Sequence, residues 1–177
     1  MANSSDGTVS VITTAAGVVS ATIPVGGGPT DVAITPDGKH AYVTNVNDGT
    51  VSVITAAAGV VSAPITVGGN PGGVAITPDG KHAYVTSAWD GTVSVITTAT
   101  GASLISPAGV VSDTITVGHR PGGVAITPDG KHAYVTNVND GTVSVITAAT
   151  GKVSATIPVA HGAGALAFCP RSAHRRR

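Results

Sequence analysis

The decapeptide Pro-Asp-Gly-Lys-His-Ala-Tyr-Val-Thr-Asn occupies residues 36–45, returns at 78–87 with Ser in the last place, and returns unchanged at 128–137. Repetition on this scale restricts the chain to an array of equivalent units, each too small to bury its apolar surface alone. The Asp-Gly pairs that precede Thr-Val-Ser-Val-Ile-Thr begin at Asp6, Asp48, Asp90 and Asp140, at intervals of 42, 42 and 50 residues. An eight-residue insertion near 99–108 accounts for the longer step.

Within one period, residues 72–77, 81–87, 91–97 and 109–117 read as four strands bounded by turn residues. Pro-Asp-Gly and Asn-Asp-Gly supply the turns: Pro presets φ, Asp caps nearby backbone, and Gly accepts positive φ. No segment has a capped 3.6-residue apolar period, so essentially no helix is expected. Aromatics make up only 3% of the 177 residues. The core must therefore come from Val, Ile, Ala and Thr, whose β-branched members favour sheet. Four antiparallel strands in about 40 to 45 residues is the length of one propeller blade.

The string Val-Ala-Ile-Thr-Pro-Asp-Gly-Lys-His-Ala-Tyr-Val-Thr-Asn, followed by Gly-Thr-Val-Ser-Val-Ile, resembles the YVTN-type β-propeller repeat. Tyr42 to Asn45 and Tyr134 to Asn137 carry the signature, Tyr84 to Ser87 is a variant, and the likeness runs from residue 4 to about 170. The resemblance implies an all-β propeller built here from about four YVTN-type four-stranded blades, a partial or small ring. It is similar to bacterial and archaeal surface-layer-like propellers, commonly seven-bladed and often exported or on the cell surface. The domain expected is 1–170, with 171–177 a basic, disordered tail. Alignment of the repeats puts Met1 opposite Val43 and Arg177 opposite Val85, so four periods are cut within one strand. Two arrangements stay open: a four-bladed ring closed by Gly164 to Phe168 beside the first repeat, or an open arc that pairs with a second copy or belongs to a longer gene product. Exposed strand edges favour self-association in either case.

Charge narrows the partners. Four of the nine basic residues, Arg171, Arg175, Arg176 and Arg177, lie in the last seven positions, and residues 1–170 carry five basic against nine acidic groups. Such a body has no electrostatic footprint for nucleic acid. No stretch reaches the ~18 consecutive apolar residues of a membrane helix, so no membrane insertion is expected. The N-terminus lacks the pattern of a secretory signal, and localisation is left unassigned.

Chemistry-bearing patterns are sparse. Cys169 is the only cysteine, there is no Glu, and no Ser stands in Gly-x-Ser-x-Gly. His40, His82 and His132 recur one per repeat and read as turn-flanking residues on separate blades. Asn-Val-Asn-Asp-Gly-Thr lacks the full calcium-loop pattern and its downstream Glu. No metal and no cofactor are expected. Asp37, Asp79 and Asp129 stand in identical turns, which implies a structural role.

The variation lies on the other rim, in the inter-blade loops and the loops between second and third strands. There Asn70, Trp89, His119, Arg120 and His161 distinguish one repeat from the next. Trp89 and Arg120 have the composition of an interaction hot spot. Catalysis needs an asymmetric constellation, which near-identical repeats do not supply. The expectation is therefore a non-enzymatic module, its rim meeting a protein or glycan partner. A lactonase-like or quinone-dependent propeller enzyme and a truncated fragment of a larger propeller are the alternatives.

Overall fold

The computed structural model describes residues 1–98 and 109–166. The insertion near 99–108 and the tail 171–177 lie outside the described residues. Strands and turns make up the regular structure, with no helix among the described residues, and so none long and apolar enough to cross a membrane.

The strands form four antiparallel sheets in chain order. The first holds β1 (Ala2–Asn3), β2 (Thr8–Thr13) and β3 (Val18–Pro24). The second holds β4 (Pro29–Ile34), β5 (His40–Asn45), β6 (Thr50–Thr55), β7 (Val60–Val61) and β8 (Ile65–Thr66). In the third are β9 (Pro71–Ile76), β10 (His82–Ser87), β11 (Thr92–Thr98) and β12 (Gly109–Thr116). The fourth comprises β13 (Pro121–Ile126), β14 (His132–Asn137), β15 (Thr142–Thr147) and β16 (Lys152–Pro158).

The expected four-stranded unit appears complete in the third and fourth sheets. In the second, the fourth strand is split into β7 and β8 around Ala63 and Pro64, because Pro64 has no N–H for the ladder. Elsewhere the outer strand stays whole but carries a bulge: Val95 pairs with Asp113 while Ile96 pairs with Val111. The extra residue, Ser112, turns its hydroxyl to the Val95 carbonyl at 3.1 Å. Ser20 and Ser154 do the same in the first and fourth sheets.

Sheets stack through repeated apolar clusters. Val9 and Ile23 of the first sheet meet Val43 and Ile54 of the second. Tyr42, Val51 and Val53 meet Val74, Ala83, Val85 and Ile96 of the third. Tyr84, Val93 and Val95 meet Ala133, Val135 and Ile146 of the fourth. The second sheet also grips the third, and the third the fourth, by a threonine hydroxyl. Thr44 donates to the Gly72 carbonyl at 2.8 Å, and Thr86 to that of Gly122 at 2.7 Å. A Cβ on Gly73 would stand 2.9 Å from the Gly122 oxygen, so glycine is what permits the first strands to approach so closely.

Among the described residues the sheets do not close on themselves. Ile54, Ile96 and Ile146 each face the preceding sheet and are 3%, 0% and 0% exposed, whereas Ile12 of the first sheet is 45% exposed. Among the described residues, no buried apolar cluster joins the fourth sheet to the first. Gly164 and Ala165 stand over Gly123 as Gly122 stands over Gly73, in the place of a following first strand. Of the two arrangements compatible with the sequence, the described residues form the open one, with Phe168 of the expected closure lying outside them.

Candidate functional site

The two rims are built differently. On one, the Thr-Pro-Asp-Gly turns are tied by their own carboxylates: Asp79 Oδ1 accepts from the Thr77 hydroxyl at 2.6 Å and the Lys81 amide at 3.1 Å. Asp37 and Asp129 repeat the pattern. These bonds, from the threonine hydroxyl first and then the backbone amide, hold all three carboxyls below their ordinary pKa. The structural role expected for these turns is what the geometry shows.

On the opposite rim each inter-sheet loop lies against the loop joining the second and third strands of the following sheet. Backbone bonds run from Val46 and Asn47 to Gly28 and Gly27, from Ala88 and Trp89 to Asn70 and Gly69, and from Val138 and Asn139 to Arg120 and His119. An aspartate 21 residues onward completes each clasp. Asp48, Asp90 and Asp140 accept the amides of Gly27, Gly69 and His119 at 2.6, 2.7 and 2.7 Å. These aspartates were read from sequence only as turn residues; the constant 21-residue spacing is the signal that marks them as clasps.

The variable residues fall into two groups on this rim. Asn70 and Trp89 belong to the third sheet, where the 79% exposed indole lies over Gly69. His119 and His161 gather around Asp140, while Arg120 meets the same loop through its carbonyl, which accepts the Val138 amide at 3.1 Å. The His119 Nδ1 stands 2.8 Å from Asp140 Oδ1, and the His161 ring lies beside Gly141. Asp140 is held below its ordinary pKa by the His119 amide first, then by the His119 ring, with His161 adding to the field. Trp89 is thus held by its own sheet's loop, whereas His119 and Arg120 are held by the fourth sheet's.

Arg120 is strained. It has φ 53°, in the left-handed region, where the matching position of the second sheet is Gly28 at φ 63° and that of the third is Asn70 at φ 55°. Arginine there costs about 1–2 kcal/mol relative to ordinary backbone. Strain of this kind persists at functional positions. A recess of about 410 Å³ opens next to the clasp, lined by polar side chains such as Asn137, Asp140 and Thr142 and by the apolar Val117 and Val153.

His119 is what the equivalent repeats lack, for Gly27 and Gly69 occupy its place. Near-identity of the repeats therefore does not exclude an asymmetric constellation. One change in a clasped loop, from glycine to histidine, gives the clasping aspartate an imidazole as a second partner.

Comparison with known proteins bears on the same point. No curated protein matches the chain in sequence. Among solved structures, hydrazine synthase of Kuenenia stuttgartiensis aligns at 28% identity and TM-score 0.70, over 78% of this chain and 38% of its own. A protein of unknown function from Desulfotomaculum acetoxidans aligns at 19% identity and TM-score 0.76, over 94% of this chain and 55% of its own. A Bacteroides uniformis protein, provisionally assigned as a 6-phosphogluconolactonase, aligns at 18% identity and TM-score 0.74, over 89% of this chain and 50% of its own. At such identities the last two establish the fold alone. The chain spans between 38% and 55% of the length of these proteins. The family described as lactonase, seven-bladed β-propeller, matches residues 5–154. That match overturns the expectation of a non-enzymatic module, and the chain belongs to the lactonase family of seven-bladed β-propellers.

Proposed function

We propose that the chain contributes a lactone-hydrolysing site centred on His119. The observation that carries this reading is the His119–Asp140 pair, among the described residues the one histidine–aspartate contact in the clasped rim. Support also comes from the family match. With Nδ1–H donated to Asp140, Nε2 of His119 is the basic nitrogen. It takes a proton from water as the water oxygen attacks the lactone carbonyl carbon. The Arg120 guanidinium stabilises the tetrahedral oxyanion. The ring C–O bond then breaks, the leaving alkoxide recovers the proton from His119, and a hydroxy acid departs. In this reading the YVTN-type repeat is the frame, and the fourth sheet's loops are the site.

Base-titration assays on a series of γ- and δ-lactones test it. Replacing His119 with Gln is expected to lower turnover by roughly 10²-fold, at the modest end for general-base loss because the imidazole is open to solvent. Turnover unchanged in His119→Gln sinks the assignment.

The exposed indole favours one addition. Trp89 offers a partner, protein or glycan, an aromatic surface on the same rim. Trp89→Asn is expected to leave stability within about 0.5 kcal/mol, as a surface change does, while weakening partner capture. Unaltered capture would dismiss the contact.

A further inference from the structure

Between the third and fourth sheets, on the rim of the Thr-Pro-Asp-Gly turns, lies a groove of about 730 Å³ that the hydrolytic reading does not use. Asp79, Asp113, Asp129, Tyr84, His82 and Ser112 line it. Asp79 and Asp129 come from neighbouring turns, and Asp113 from β12. Asp79 meets Lys81 at 4.0 Å in an exposed pair that neutralises it only weakly. Asp113 uses one oxygen to accept the Thr114 amide at 2.8 Å, and its Oδ2 reaches towards Gly151 of the fourth sheet.

Tyr84 is the second observation. It is 3% exposed, it lines the groove, and among the described residues its hydroxyl makes no hydrogen bond. Its counterparts Tyr42 and Tyr134 both have interactions of their own. The ring is buried while the hydroxyl opens onto the groove, where a ligand or solvent supplies its hydrogen bond. Burial, and then the fields of Asp113 and Asp79, push its pKa up, so the phenol stays neutral.

We infer that this groove binds an extended organic cation, an aliphatic polyamine, with its ammonium groups shared among Asp79, Asp113 and Asp129 and one of them donating to the Tyr84 oxygen. A single metal ion does not suit the spacing: among the described residues no three carboxylates or imidazoles converge as ligands must. A chain of amines separated by methylenes does, since each charge meets its own carboxylate while the methylenes lie along the groove walls.

Calorimetric titration of the full chain with spermidine, at two salt concentrations and with calcium chloride as the comparison, tests the inference. Saturable spermidine binding is expected, weakened about tenfold in Asp113→Asn and at least threefold in Tyr84→Phe, with little response to calcium. Asp113 is exposed, so its variant is expected to fold, and circular dichroism checks Tyr84→Phe. The inference is overturned by no saturable binding, by binding equal in wild type and Asp113→Asn, or by calcium binding that Asp113→Asn abolishes.

Discussion

Asp140 holds His119 twice, by Oδ2 to its backbone N–H at 2.7 Å and by Oδ1 to its ring Nδ1 at 2.8 Å. The first bond is the structural clasp repeated at Asp48 and Asp90; the second exists only where the loop residue has a ring to offer. One carboxylate therefore serves both as the clasp of the loop and as the partner of the ring.

That sharing fixes the acid behaviour. Asp37, Asp79, Asp129 and Asp140 all have folded-state pKa values below the ordinary 3.8. A depressed carboxyl adds stability above its unfolded value and loses it as pH falls through the folded one. Melting temperature should hold steady from pH 7 to about 4 and drop below that. Thermal scans at half-unit pH steps check it; a decline beginning near pH 6 would implicate histidines instead.

Ser87 is the weak point of the third sheet. In the other sheets an asparagine amide bridges two hydroxyls, Asn45 to Thr50 and Ser52 at 3.0 and 2.9 Å, and Asn137 to Thr142 and Ser144 at 2.9 Å each. The Ser87 hydroxyl is buried with no partner. Ser87→Asn is expected to restore both bonds and stabilise the chain by about 1 kcal/mol, seen as a rise in melting temperature of roughly 2–4 °C. An unchanged or lower melting temperature refutes the comparison.

Arg120→Gly relieves the left-handed strain but gives the unfolded chain more freedom. The net expectation is a stability change under about 1 kcal/mol in either direction, with lactone turnover reduced at constant fold. Turnover that survives the change removes the guanidinium from the proposed site.

The uncovered first sheet is expected to draw chains together. Ile12 is 45% exposed, and the fourth sheet of another copy presents Ile157, 43% exposed and the counterpart of the Ile65 that is buried with Ile96 within one chain. Sedimentation at tens of micromolar should show association, weakened roughly tenfold or more by Ile12→Ser if the isoleucine is buried in the contact. A monodisperse monomer counts against this face as a contact.

Strands were legible in the sequence because Pro-Asp-Gly and Asn-Asp-Gly declare their ends, and four-fold repetition shows which positions are equivalent. Pro64 could have announced the break between β7 and β8, but within the repeat it reads like any other outer-strand residue. The His119–Asp140 pair was harder to see. Its members lie 21 residues apart and meet only because a loop of one repeat leans on the next. The names Trp89, His119, Arg120, Asn70 and His161 were available from comparing the repeats, but which of them gather around Asp140 depends on packing between sheets. Tyr84 was hidden for the opposite reason: identical in letter to Tyr42 and Tyr134, it differs only in its neighbours.

The aspartate clasps recognise a main-chain N–H and nothing else. Every amino acid except proline brings that group, so a side chain can enter wherever its Cβ is given room. Position 119 carries one, whereas a Cβ at 69 would press on Trp89 at 3.2 Å and one at 27 on the Asp48 carboxylate at 2.9 Å. Glycine stands at two of them and histidine at the third. A repeat fastened in this way can be duplicated as plain scaffold and acquire chemistry afterwards, one loop at a time, with proline the single substitution barred from all three positions.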